Sequence, residues 1–385
     1  MQDKKQKKII FVYNDAGYLY RFRLSLMLSM KNKGWEVIAV SPYDDHAKRI
    51  ENKGISFWKL PLERKGKNPF EDIRVFFRLT GLYIKEKPFI VHHFTVKPVI
   101  YGTLAARFAG IPGIVNLIPG LGYVFFRGGL LQRFVEIMYR ISFAPRVRVI
   151  FQNADDLNYF TRRKLVNRQQ TRLICGSGIN MDMFDPEKFS QQKRPDTVIF
   201  TLVARMLWDK GIAEFADAAK MVHQKNAHTK FVLLGDPDAG NPASVPTSWL
   251  ERLQKLDFID WIKHRENIRP ILAYSSVVVL PSYREGAPRA LIEAAAMAKP
   301  IITTDVPGCR EIVENGTNGL LVPKKNAASL AEAMLTLAGD AALRRRMEKS
   351  SRERALKYFD ERLIIQQTQK IYAELMKFEG ASYTF

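Results

Sequence analysis

The densest chemistry in this sequence is the run Val279-Leu-Pro-Ser-Tyr-Arg-Glu-Gly-Ala-Pro-Arg-Ala-Leu-Ile-Glu293. It holds two carboxylates, Glu285 and Glu293, around a Gly and a Pro. An apolar strand is expected to end at Pro281, a turn to follow with Glu285 and Gly286, and a helix to start near Pro288, a residue suited to the first helical position. The free N–H groups and positive dipole end of such a helix make a site for phosphate. Glu285 stands just ahead of that site, and Glu293 lies about a turn and a half inside the helix. The spacing suits a ligand with a diphosphate in its middle, with sugar hydroxyls at one carboxylate and ribose hydroxyls at the other. A capping acid and a solvated acid would account for either Glu alone, but not for the whole string.

Two cations complete the chemistry. Arg205 ends a predicted strand, and Lys210 follows across the loop MLWD at the start of the next helix. Side chains of this kind neutralise a diphosphate leaving group. Asp236-Pro-Asp238 has the DxD form of a metal–nucleotide site, yet it stands in a Gly/Pro-rich loop and reads as a turn. There is no HExxH, nucleophile elbow or Walker sequence, and Cys175 and Cys309 stand far apart with no CxxC. No metal and no cofactor are therefore expected.

These residues need a frame. Short apolar runs alternate with helical segments: strands at Ile9–Tyr13, Glu36–Val40, Ile55–Leu60, Phe89–Phe94 and Gly113–Ile118, then Val198–Ala204, Lys230–Leu234, Val277–Leu280 and Ile301–Thr304. That alternation predicts parallel sheets covered by helices, an α/β chain of two doubly wound, Rossmann-like domains. The charged, Pro-containing stretch 185–196 reads as the linker. The expected domains are 1–190 and 191–360. In open parallel sheets ligands sit beyond the carboxyl ends of the strands. Asn14–Gly17, Thr95–Pro98, Pro119–Gly122, Arg205–Lys210, Gly235–Asp238, Ser282–Gly286 and Asp305–Gly308 all fall there, and would line one cleft if the domains face each other.

The 385 residues carry 60 Lys/Arg against 39 Asp/Glu, a formal net charge of +21. Apolar residues make up 46%, ample for two cores, so disorder as the main state is excluded. The excess charge is uneven, +16 in residues 1–190 and +5 in the rest, which predicts an anionic partner for the first half. The N-terminal apolar run is too short for a signal peptide, and no apolar stretch approaches the roughly 18 residues of a spanning helix. The expected location is the cytoplasm.

The pieces LVARMLWDKG, FVLLGDPDAG and VVVLPSYREGAPRALIEAAAMAKPIITTDVPGCREIVENGTNGLLV, with VHHFTVKPVIYGTLAARFAGI and NLIPGLGYVF before them, resemble the family-4 retaining glycosyltransferases of the GT-B fold over nearly the whole chain. More narrowly they resemble bacterial N-acetylgalactosaminyltransferases that extend polyprenyl-diphosphate-linked glycans. The resemblance implies a UDP-sugar donor, a polyprenyl-diphosphate-linked acceptor and a C-terminal helix, 361–385, that crosses back onto the first domain. It implies catalytic roles for Arg205, Lys210 and Glu285, with the donor diphosphate on the two cations, the donor sugar on Glu285 and ribose on Glu293. The expected donor set adds Gly286, Ala287, Pro288, Arg289 and, from the first domain, Gly17. The expected acceptor set is Asn14, His92, Lys97, Gly120 and Tyr123. Many family members carry a His in the loop after the Gly113–Ile118 strand; here Pro119 stands about there, and no His is assigned that role.

The segment LLQRFVEIMYRISF fits two situations equally: a helix in a membrane interface, with Arg127, Leu130, Arg133, Phe134 and Arg140 meeting an anionic membrane surface, or a helix packed on its own sheet with a wet basic edge. The first would make the protein peripheral on the cytoplasmic face of the inner membrane. Two other functions stand beside glycosyl transfer. One is a sugar-nucleotide epimerase or phosphorylase on the same fold. The other is nucleic-acid binding, suggested by charge alone; it lacks clustered aromatics and any recognisable motif, so no nucleic acid is expected as a partner.

Overall fold

The computed structural model describes residues 7–62, 69–122, 125, 129–189 and 196–378. The chain divides into two compact units, one made of 1–177 and 362–385, the other of 178–361. In the first unit, β1 (Lys8–Val12), α1 (Ala16–Asn32), β2 (Glu36–Ser41), α2 (Asp45–Glu51), β3 (Ser56–Lys59), α3 (Pro69–Glu86), β4 (Ile90–Phe94), α4 (Thr103–Phe108), β5 (Gly113–Ile118), α5 (Gly129–Ser142), β6 (Val147–Phe151), α6 (Ala154–Arg162) and β7 (Thr171–Leu173) follow one another. The seven strands pair in parallel in the order β3-β2-β1-β4-β5-β6-β7. Helices cover both faces, so β4, β5 and β6 are buried at every position and read as continuous apolar runs.

Most boundaries match the sequence pattern, and the departures have local causes. Helix α1 begins at Ala16, earlier than the apolar spacing suggests, because the Asp15 carboxylate caps it by accepting from the Tyr18 N–H at 3.0 Å. Ahead of α4, residues Pro98–Gly102 form a π-helical turn. Strands β6 and β7 are not visible in the hydrophobic pattern, since Arg148 and Arg172 interrupt short runs. Arg148 is nonetheless buried, near Glu374 at 4.0 Å, while Arg172 bonds that same carboxylate at 2.6 Å.

In the second unit, β8 (Val198–Val203), α7 (Ile212–Lys225), β9 (Thr229–Leu234), α8 (Thr247–Leu253), β10 (Ile259–Ile262), α9 (Arg269–Tyr274), β11 (Val277–Leu280), α10 (Arg289–Ala296), β12 (Ile301–Thr304), β13 (Gly319–Val322), α11 (Ala327–Gly339) and α12 (Ala341–Tyr358) form a six-stranded parallel sheet, order β10-β9-β8-β11-β12-β13, with its helices. The first boundary falls at 177/178, ahead of the charged stretch expected to be the linker. Residues 179–184 are held inside the second unit: Ile179 donates its N–H to Phe359 O at 2.8 Å, and the Arg352 guanidinium bonds Phe184 O at 2.7 Å. The chain leaves this unit at 361/362 along α13 (Glu361–Phe378). That helix packs Ile364, Ile371, Tyr372, Leu375 and Met376 into the core between α1 and the first sheet.

Candidate active site

The constellation forms at the carboxyl ends of β8, β9, β11 and β12. Lys210 follows β8 and donates from Nζ to Glu285 Oε1 at 2.6 Å; Ser282 Oγ donates to the same oxygen, also at 2.6 Å. Both bonds end on Oε1. The side chains are largely buried, Lys210 at 15% and Glu285 at 13% exposure. Burial alone would pull the Lys210 ammonium down, but the Glu285 charge and hydrogen bond outweigh it, and Lys210 stands above its ordinary pKa. Arg205 lies near enough for its charge to oppose that of Lys210.

Local geometry explains why these side chains meet. Gly211 stops the turn 208–210 with φ +72°, and a Cβ there would fall 2.2 Å from Pro281 O; only glycine lets the Lys210 loop lie against the end of β11. Gly308, at φ +86°, likewise lets the loop after β12 touch the 285–286 turn, where a Cβ would meet Gly286 O at 2.6 Å. Glu285 N donates to Pro307 O at 3.3 Å, and Thr304 Oγ1 donates to Ser282 O. Cys309 is buried beneath this turn; burial and the Glu285 charge push its thiol up to about 12. Ser282 and Gly308 act on the position of Glu285, and the sequence offered only their small size as a signal.

Pro288 is the cap residue of α10 rather than its first helical residue; its extended backbone (ψ 112°) delivers Gly286 and Ala287 to the helix entrance. Within α10 the Arg289 guanidinium donates to Glu293 Oε1 at 2.8 Å. Burial raises the Glu293 carboxyl above its ordinary pKa, and the Arg289 charge partly counters that. Both carboxylates of the DxD loop are engaged within the chain. Asp236 Oδ1 accepts from His264 N at 3.1 Å, and Asp238 Oδ2 accepts from Arg205 at 2.5 Å. Among the described residues no group of three or more His, Cys, Asp or Glu is placed to hold a metal ion.

The first unit separates its expected residues. Asn14, Lys97 and Gly120 follow the carboxyl ends of β1, β4 and β5, and Gly17 is buried at the start of α1. Lys97 is ion-paired to Asp72 at 2.6 Å, with Tyr101 OH on the same carboxylate. His92 is a correction: no part of it is exposed, and its Nδ1 meets Tyr372 OH of α13 at 2.7 Å. Burial, then the charges of Arg23 and His93, hold its pKa well below the usual value. A central parallel strand has no wet face, so His92 is a core residue and not an acceptor ligand. His93 is equally buried, between Tyr83 OH and Asn116. Tyr123 and Arg127 lie outside the described residues.

The membrane-candidate helix α5 is two-faced. Val135 and Tyr139 enter the core, while Leu130, Leu131, Phe134, Ile137 and Ile141 are each more than half exposed. Arg133 is exposed, and Arg140 bonds Arg163 O at 2.9 Å. Sequence reasoning missed the neighbouring apolar surface: Phe70, Ile73 and Phe77 on α3 and Phe108 at the end of α4 are also more than half exposed. Their spacing of three and four along α3 was the available signal. Arg107 donates to Ile141 O, which ties α4 to α5.

Comparison with known proteins fits this geometry. The sequence profile of glycosyl transferases group 1 matches residues 183–354, and that of glycosyl transferase 4-like proteins matches 8–153. An uncharacterized glycosyltransferase of Methanocaldococcus jannaschii is 34% identical over 64% of this chain and 72% of its own. The chain belongs to this glycosyltransferase family. The enzyme is also 29% identical, over 96% of its length and 99% of the relative's, to the N,N'-diacetylbacillosaminyl-diphospho-undecaprenol alpha-1,3-N-acetylgalactosaminyltransferase of Campylobacter jejuni. Among solved structures, Anabaena HepE in complex with UDP and glucose superimposes with a TM-score of 0.79 at 17% identity, covering 96% of this chain and 100% of that one. The glycosyltransferase thus has the GT-B architecture of two Rossmann-like units, as its strand pattern implies.

Proposed function

We propose that this glycosyltransferase moves an N-acetylhexosamine, with N-acetylgalactosamine as the first to test, from a UDP-sugar to a sugar carried on a polyprenyl diphosphate, with retention of configuration. The observation that carries the proposal is the Lys210–Glu285 pair just ahead of α10, with Arg205 near enough for its charge to act on Lys210, in a chain that matches the Campylobacter jejuni transferase almost end to end. Arg205, Lys210 and the α10 N-terminus stabilise the departing diphosphate. Glu285 takes donor-sugar hydroxyls, and Glu293 the ribose. The bond from the anomeric carbon to the diphosphate breaks, a bond to the acceptor oxygen forms on the same face, and a leaving-group oxygen takes the acceptor proton. No protein nucleophile is required. Nucleotide sugars incubated with defined lipid-linked acceptors test this: product should form from a UDP-N-acetylhexosamine. Donor turnover without an acceptor would instead favour an epimerase or a hydrolytic activity.

Catalysis is proposed to need no metal, since two cations and a helix N-terminus supply the positive charge. Activity should therefore survive EDTA. Complete loss in chelator, restored by manganese or magnesium, would return Asp236 and Asp238 to a metal site.

A membrane-linked acceptor requires the enzyme to work at a bilayer, and we place it on the cytoplasmic face of the inner membrane as a peripheral protein. The exposed apolar residues of α3, α4 and α5, which also carry Arg74, Arg78, Arg107, Arg133 and Arg140 in the basic half of the chain, support this. Each basic residue near an anionic surface contributes about 1 kcal/mol. Co-sedimentation with liposomes should rise with anionic lipid and fall incompletely with salt, and Arg133→Glu with Arg140→Glu should weaken it while sparing donor binding. Equal sedimentation with neutral and anionic vesicles, or none with either, would assign the charge to a soluble partner.

A further inference from the structure

We propose that Asp238 is a positioning residue, which holds the Arg205 guanidinium ready for the donor diphosphate; this rests on the role given to Arg205 above. The loop 236–245 is built around the strand end that carries Arg205. Met206 donates to Asp236 O at 2.9 Å, Val245 to Met206 O at 2.9 Å and Trp208 to Ala243 O at 2.8 Å. Inside the loop, Asp238 is fixed at two points: its N–H donates to Ser244 Oγ at 3.0 Å, and its Oδ2 accepts from Asn241 Nδ2 at 3.1 Å. Asn241 is itself tied by its Oδ1, which accepts from Ala243 N at 3.1 Å. The same Asp238 Oδ2 accepts from Arg205 Nη1 at 2.5 Å.

The two ends of this contact differ in freedom. The Asp238 side chain is 20% exposed and held by the loop, whereas Arg205 is 44% exposed. A long side chain that wet samples many rotamers and loses them when it grips a ligand, a cost that preorganisation removes. A guanidinium offers several donors in a planar fork. With one donor engaged by a fixed carboxylate, the end of the side chain is anchored and its rotamers are restricted, and the remaining donors stay available to phosphate oxygens. Each cation of the site thus has its own carboxylate, Lys210 with Glu285 and Arg205 with Asp238. The pairing keeps two converging positive charges compatible before the donor arrives. An Asp at position 238 acts here through the cation, not on the substrate.

A thermodynamic cycle tests the assignment. UDP affinity is measured by calorimetry for the full-length protein and for Asp238→Asn, Arg205→Ala and the double variant, with thermal unfolding of each as a check on the loop. Asp238→Asn should weaken UDP binding by about 3- to 10-fold, the loss expected when one ordered side chain becomes mobile. It should have no further effect once Arg205 is alanine. The conservative Asp238→Glu should recover part of the loss. Equal weakening in both backgrounds would make Asp238 a loop residue only. Unchanged or tighter UDP binding in Asp238→Asn would overturn the proposal and make the carboxylate a competitor of the diphosphate. Failure of the unaltered protein to bind UDP, or full affinity in Arg205→Ala, would overturn the donor-site reading first and the role of Asp238 with it.

Discussion

Replacement of Lys210 by alanine is expected to lower turnover by about 10²–10³-fold, the loss typical when one preorganised donor is taken from a developing anion. Its ammonium is sheltered and held protonated by Glu285, so its charge acts on a leaving diphosphate with little screening by water. The substitution also strands Glu285 without its counter-ion. Breaking a buried pair costs roughly 3–5 kcal/mol; with both side chains slightly wetted, the loss here should fall at or below the lower end. Lys210→Met, which strands Glu285 equally but keeps most of the volume, separates lost packing from lost charge: turnover should drop as far as in the alanine variant, and thermal stability should drop less only by the share that packing contributes. Arg205→Ala should give a loss of the same order, and the double variant less than the product of the two, because both act on one diphosphate. Near-normal product formation and UDP affinity in the double variant would remove both residues from the mechanism.

The legibility of this site in the sequence was uneven for physical reasons. Glu285, Pro288 and Glu293 sit on one continuous strand–turn–helix, so local spacing suffices to place them. The approach of Lys210 to Glu285 is long-range, but parallel β topology sends every strand end to one edge of the sheet, and that rule brings the two loops together. His92 illustrates the opposite case. Two adjacent histidines on a strand normally face opposite sides, and one would be wet if a face were open. Here both faces of β4 are covered, one of them by α13 from the far end of the chain, and Tyr372 supplies the polar partner. No local pattern announces a contact across 280 residues. The unit boundary was missed in the same way: 179–184 are too few to show a pattern of their own, and Arg352 of α12, which bonds Met181 O and Phe184 O, decides where they belong. Strand β10, IDWI, carries an Asp on its exposed side and too few apolar residues to stand out.

Glu285→Gln should lower turnover by about 10–150-fold, the equivalent of losing a charged hydrogen bond of 1.5–3 kcal/mol. The amide keeps the shape of the carboxylate, and its oxygen can still accept from Lys210 and Ser282, so the fold should persist. Two causes could produce the loss, and pH separates them. In the unaltered protein Glu285 raises the Lys210 pKa against the pull of burial. With that charge gone, only Asp209 still opposes burial and the Arg205 charge, and Lys210 should lose its proton at lower pH than before; the alkaline limb of the rate profile should move toward neutrality. If holding that proton were the whole role of Glu285, activity would return fully as pH is lowered. A carboxylate that also binds donor hydroxyls leaves a deficit that acid does not repair. We expect both signatures, a shifted alkaline limb and a persistent deficit at its acid side, in pH–rate profiles of product formation. Full recovery at low pH would confine Glu285 to the support of Lys210, and an unchanged rate at every pH would exclude it from catalysis.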